Sequence, residues 1–232
     1  MTATGTGLDE YLKPTTYVDS DAPGIVAFAA RVAGAAADPV ARAVALYHAV
    51  RDEIVYTPYC DFRALDTYRA SACLARGSGF CVAKSALLAA SARAVGIPAR
   101  LGFADVRNHL ASPRLRRLMG TDVFYYHGYA ELYLEGAWVK ATPVFDRRLC
   151  ERFRVPPLPF DGRRDSLFQA YDPSGRRHME YVRHREPSAD VPAEAIIETF
   201  TRHYPGLTGG AAADPAERFR DEAGPVVDPP GS

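Results

Sequence analysis

The segment from Cys81 to Val95 constrains this chain more than any other. Val82-Ala-Lys-Ser-Ala-Leu-Leu-Ala-Ala-Ser-Ala-Arg-Ala-Val95 is a run of strong helix formers, stopped by Gly96 and by Pro98 two residues later. Most of its side chains are small, so other elements can approach it closely. The run therefore predicts a tightly packed central helix. Just before it, Arg76-Gly-Ser-Gly-Phe80 delivers the chain to Cys81. The glycines open backbone conformations closed to bulkier residues and leave room for a substrate backbone to approach. Cys81 thus stands at a helix N-terminus, where unpaired N–H groups and the positive end of the macrodipole favour a thiolate. Its own N–H is a candidate oxyanion donor. A buried structural cysteine beside a glycine turn explains this local pattern equally well.

Elements can be read on both sides. Upstream, Ile25 to Ala37 is an apolar stretch interrupted by Arg31, about half the length needed to cross a bilayer, and is expected to be a buried helix. From Asp38 to Ile54 a helix is expected: Asp38 can cap it, Pro39 suits its first turn, and Val40, Val44, Tyr47, Val50 and Ile54 recur every three or four residues. A short helical segment is expected from Asp66 to Leu74, ending at Arg76-Gly77. Downstream, Ala99 to Val106, Phe124 to Leu134 and Trp138 to Val144 carry the aromatic and β-branched residues of strands, with a hairpin turn at Glu135-Gly136-Ala137. Turn signals at Pro156-Pro157, Asp161-Gly162 and Asp172 to Gly175 precede a helix expected from Pro192 to His203. From Gly209 onward large apolar residues are nearly absent, so burial cannot offset the entropy of ordering that tail.

In a chain of 232 residues, 28 Lys and Arg balance 28 Asp and Glu, which gives no net field to draw polyanions or anionic membranes. Nucleic acid and membrane are not expected partners. The first residues lack the basic start and apolar run of a secretory signal, so a cytoplasmic location is expected. Cys60, Cys73, Cys81 and Cys150 contain no Cys-x-x-Cys pair, so the spacings of a zinc site are missing. His127 and Glu131 are four apart in a strand, and His178, His184 and His203 show no ligand spacing. No metal or other cofactor is expected.

Several motifs arrive in order: Gly79-Phe-Cys81, the small-residue helix, Arg93-Ala-Val-Gly-Ile-Pro-Ala-Arg100, His127-Gly-Tyr-Ala-Glu-Leu-Tyr133 and Trp138. Together with Tyr47-His-Ala-Val-Arg-Asp-Glu-Ile-Val-Tyr56 upstream, they resemble the transglutaminase-like superfamily over roughly residues 40 to 146. The resemblance implies an α+β papain-like core, with the catalytic Cys at the N-terminus of a central helix packed on an antiparallel sheet. It also implies a Cys-His-Asp triad working through an acyl-enzyme. Cys81 matches the nucleophile and His127 the general base, a role suited to an imidazole that titrates near neutrality. The family's Asp-Pro after the Trp is replaced here by Thr142-Pro143, which leaves Asp146 as the acidic candidate and Thr142 or a backbone group as the alternative. Asp146 could equally be a turn residue that ends the strand.

The expected organisation is a helical lead-in over 1–37, a catalytic core over 38–146, an extension packed on it over 147–208, and a disordered tail over 209–232. The expected chemistry is cysteine-dependent hydrolysis of an amide or related acyl bond in a peptide or small molecule, through a thioester. The alternatives are transfer of the acyl group to an amine, and a non-catalytic binding module on the same fold. Arg114, Arg116 and Arg117 would lie near the cleft, either as a solvated face or as contacts to an anionic substrate group. Tyr56 and Tyr59 would either pack in the core or wall the cleft.

Overall fold

The computed structural model describes residues 7–34, 36, 38–109, 111–168, 179–208 and 216–222. The N-terminal half is helical: α1 (Pro23–Ala33), α2 (Pro39–Glu53), a two-residue strand β1 (Val55–Tyr56), α3 (Ala70–Arg76), a second short strand β2 (Ser78–Gly79) and α4 (Cys81–Ala94). Helix α2 starts as its sequence dictates, with the Asp38 carboxylate accepting from the N–H groups of Val40 and Ala41 at 3.1 Å each. The segment expected as one helix from Asp66 begins instead as a 3-10 turn, Leu65–Thr67, before α3.

Helix α4 has no solvent face, since every side chain from Val82 to Arg93 is buried. Its two long cations are accounted for by backbone carbonyls. Lys84 Nζ donates to Arg51 O at 3.0 Å and Ile54 O at 2.6 Å, satisfying the orphan end of α2. Arg93 donates to the carbonyls of Ala99, Lys13 and Ala189, tying the N-terminal segment and the loop after β6 to the central helix.

The second half forms the sheet and its cover: β3 (Ala99–Asn108), α5 (Pro113–Met119), β4 (Val123–Leu134), β5 (Ala137–Ala141), α6 (Arg147–Phe153), β6 (Met179–Ser188), α7 (Ala193–His203), α8 (Pro205–Thr208) and α9 (Ala216–Glu222). The sheet is antiparallel throughout, in the order β5-β4-β3-β6. The Cys81 helix packs against it, giving the α+β arrangement expected of the sequence. Glu135 and Gly136 take positive φ values of 50° and 88°, as a two-residue hairpin turn demands. Strand β5 stops at Ala141 rather than Val144, because Pro143 has no N–H to continue the ladder.

Within 209–232, read from composition as disordered, Ala216–Glu222 is a helix whose Phe219 is buried. The rest of that tail, the turn at 172–175 and His178 lie outside the described residues. Among the described residues no helix is long and apolar enough to cross a membrane.

Candidate active site

Helix α3 ends at Gly77 in the left-handed region, φ 65°, which a β-carbon would resist. The chain then runs through β2, paired in parallel with β1 (Val55 with Ser78, Tyr56 with Gly79), and enters α4 at Cys81. This short ladder brings Tyr56 to the same place as the thiol. Burial pushes Cys81 up to about 11, while the N–H groups of Gly128, Val82 and Cys81 itself pull the other way. The thiolate-favouring helix end anticipated from the sequence is present, but desolvation outweighs it.

Strand β4 reaches the first turn of α4 because the residue after His127 is glycine. A β-carbon on Gly128 would lie 3.0 Å from Val82 Cα, so no larger residue fits without moving strand or helix. The approach brings Cys81 and His127 onto one cavity of about 40 Å³, shared with Tyr56, Asn108, Val144 and Phe145. His127 is 6% exposed, and burial lowers its pKa to about 4. At neutral pH the pair is therefore an uncharged thiol and an uncharged imidazole. That is the protonation state from which a base can take a proton.

A β-bulge fixes where His127 begins. Ala104 pairs with His127 and Val106 with Phe124, so Asp105 alone faces both Tyr125 and Tyr126, and Tyr126 has φ 54°. Two backbone N–H groups thereby lose their ladder partners, and side chains replace them. Tyr126 N–H donates to Asp105 Oδ1 at 3.1 Å, and Tyr125 N–H to the Tyr204 hydroxyl at 2.6 Å. Arg185 from β6 holds Asp105 with two bonds of 2.9 Å and lies 3.8 Å over the Tyr126 ring.

The residues expected to orient His127 have a different character. Asp146 caps α6: its Oδ1 accepts from Leu149 N–H at 3.1 Å and from Arg220 Nη2 at 3.2 Å. Thr142 is 1% exposed. Among the described residues, His127 Nε2, Thr142 Oγ1 and Asp146 Oδ2 are each buried with no hydrogen-bond partner. The structure thus joins Cys81 and His127 at one cavity without a hydrogen-bonded triad. What stands beside the imidazole is Phe168, with ring centroids 6.1 Å apart.

The remaining motif residues hold the sheet. Arg100 on β3 donates to Glu131 on β4 at 2.6 Å and covers the Trp138 ring of β5 at 4.1 Å, which stitches three strands together. Glu131 is committed there, and among the described residues no three His, Cys, Asp or Glu cluster as a metal site. A family model, that of the transglutaminase-like superfamily, matches residues 26–143. The chain belongs to the transglutaminase-like superfamily.

In this transglutaminase-like chain the matched region runs from α1 to just beyond β5. It takes in Cys81, His127 and Thr142 and stops short of Asp146. No curated protein matches the chain. Among solved structures, it is similar to a putative cysteine protease from Cytophaga hutchinsonii at 21% identity and a TM-score of 0.44. The likeness covers 57% of this chain and 40% of that one, so this chain spans less than half the length of that protein.

Of the other residues singled out in the sequence, Tyr56 lines the transglutaminase-like cavity. Tyr59 turns its hydroxyl to Glu222 at 2.5 Å. Arg114 pairs with Glu222 at 2.9 Å, Arg116 bonds the His109 carbonyl at 2.7 Å, and Arg117 is exposed. The cavity instead receives Leu115 and Met119 from the opposite face of α5. His184 stacks on Tyr181 and His203 on Tyr125. Asp105, Phe168 and Tyr204 were not singled out. Asp105 alone carried a signal: an acid between Phe103-Ala104 and Val106, in an otherwise apolar stretch, needs a partner.

Proposed function

We propose that the protein is a cysteine-dependent acyl enzyme, with Cys81 as nucleophile and His127 as general base, and that its reaction is hydrolysis of an amide or related acyl bond. The observation that supports this is the shared cavity. A thiol at the first residue of a buried helix and an uncharged imidazole open onto it together. His127 accepts the thiol proton as Sγ bonds to the carbonyl carbon, then gives it to the departing nitrogen as the C–N bond breaks. Water, deprotonated by the same imidazole, attacks the thioester, and the acid and free thiol are released. The N–H groups directed at Sγ offset charge as it develops in a site that disfavours a standing thiolate. Asp146 or Thr142 would orient the imidazole through Nε2. Transfer to an amine in place of water is the alternative outcome of the same thioester.

Alkylation of Cys81 by iodoacetamide, followed by mass spectrometry from pH 5 to 11, tests the pair. The wild type should react near neutrality with a rate that depends on His127. In His127→Ala the reaction should shift to the thiol's own titration, toward pH 11. Identical profiles in the two proteins would refute the pairing. A peptide or metabolite mixture, with the mass of the trapped Cys81 adduct as readout, then separates the acyl donors.

A further inference from the structure

The walls of the cavity carry information about which acyl group could reach Cys81. Among the described residues that line it, none is Lys, Arg, Asp or Glu. Beyond Cys81, His127 and the amide of Asn108 the lining is aromatic and aliphatic, and part of it comes from helices that cover the sheet. Phe200, Tyr204 and Leu207 descend from the α7–α8 corner, and Leu115 and Met119 from α5. Tyr204 has no proton left to donate to a ligand, because its hydroxyl donates to Val123 O at 2.8 Å while it accepts from Tyr125 N–H. The α7–α8 corner lies beyond the region matched by the family model.

We propose that this cavity is the acyl-chain site, and that the substrate class is a short, uncharged, apolar acyl group. The proposal rests on Cys81 being the nucleophile. An ionised group placed among these walls would lose its hydration and find no counter-charge, whereas each methylene would leave water for an apolar surface. Size follows from the volume. At about 40 Å³ the cavity is small, which points to short chains, with butyryl as the centre of the range to be tested.

The experiment uses p-nitrophenyl esters of acetate, propionate, butyrate, hexanoate and octanoate, together with the mono-p-nitrophenyl ester of succinate. Sγ attacks the ester carbonyl, its proton passes to His127, p-nitrophenolate leaves, and water returns the thioester to acid and thiol. Rates are read as kcat/KM after subtraction of the Cys81→Ala background. We expect a rise of about fourfold per methylene up to butyrate or a little beyond, then a fall. The succinyl ester should be slower than butyrate on the order of a hundredfold. Met119→Ala should move the optimum to a longer chain and Leu207→Phe to a shorter one, so either variant that folds provides the check. A flat chain-length profile, or a succinyl ester as good as butyrate, overturns the proposal while His127-dependent alkylation of Cys81 keeps the proposed function standing. Loss of that alkylation removes both.

Discussion

His127 keeps its ring inside the protein as a neutral group, and burial is the cause of its low pKa. Between pH 6.5 and about 4 the unfolded chain binds a proton at this residue that the folded chain refuses. Stability therefore falls as pH drops through that window, by up to about 3 kcal/mol, and no further change from His127 is expected below it. His127→Gln should flatten that part of the curve of denaturant stability against pH, and an unchanged slope would show that the imidazole is not desolvated. Asp146 invites a second comparison. Its carboxylate is already engaged by Leu149 and Arg220, and one oxygen is left over. Asp146→Ala should cost far less turnover than Cys81→Ala, which should abolish it. Equal, complete loss in two folded variants would make Asp146 indispensable and contradict that order. That Cys81 and His127 belong together was legible in the sequence because each stands in an ordered set of motifs, and they line one cavity. The third position was not, because Thr142 breaks the motif and only packing reveals which buried atoms are left without partners.

At the level of elements, the bulge in β4 couples the sheet to the imidazole. Tyr126 is a bulky residue held at φ 54°, a conformation that persists only where its surroundings enforce it. Tyr126 stands one residue before His127 in the strand, and the enforcing groups are Asp105 from β3 and Arg185 from β6. Asp105→Ala should release that N–H and shift the imidazole. We expect a loss in kcat of roughly tenfold to a hundredfold with a smaller change in KM. Tyr126→Gly in the same background should recover part of the loss, since glycine adopts the conformation without enforcement. No recovery, with KM and kcat falling together, would mean that Asp105 only stabilises the sheet. Strands β3 and β4 were visible in the sequence through their aromatic and β-branched residues, yet the bulge depends on pairing between distant segments and leaves no local trace. Strand β6 was missed for a related reason: Arg183, Arg185, Glu186 and Pro187 suit an exposed edge strand and disguise the alternation that marks a half-buried one. In α5 the arginines hid an amphipathic helix whose apolar side meets the cavity.

Across the whole molecule, a segment whose composition predicts disorder supplies a buried aromatic contact. Helix α9 has seven residues, too few to be helical without packing. It is held by Phe219, which lies against the rings of Tyr56, Tyr59 and Phe153 at 5.5, 5.9 and 6.2 Å. Its polar side is equally committed: Glu222 accepts from Tyr59 and Ser112 and pairs with Arg114, while Arg220 reaches Asp146. Composition could not show this, because one aromatic among polar residues predicts disorder unless a receptive surface exists elsewhere in the chain. Tyr56 faces α9 through Phe219 and also lines the cavity with Cys81, so α9 backs the wall of that cavity. Phe219→Ala should therefore lower stability by about 3 kcal/mol and raise amide exchange across the described part of α9. The same variant should raise KM for an apolar ester more than it lowers kcat, because the wall loosens while Cys81 and His127 stay on α4 and β4. A thermal midpoint and exchange pattern identical to wild type would mean that α9 is not docked in solution. Destabilisation with unchanged KM would separate the strap from the site it backs.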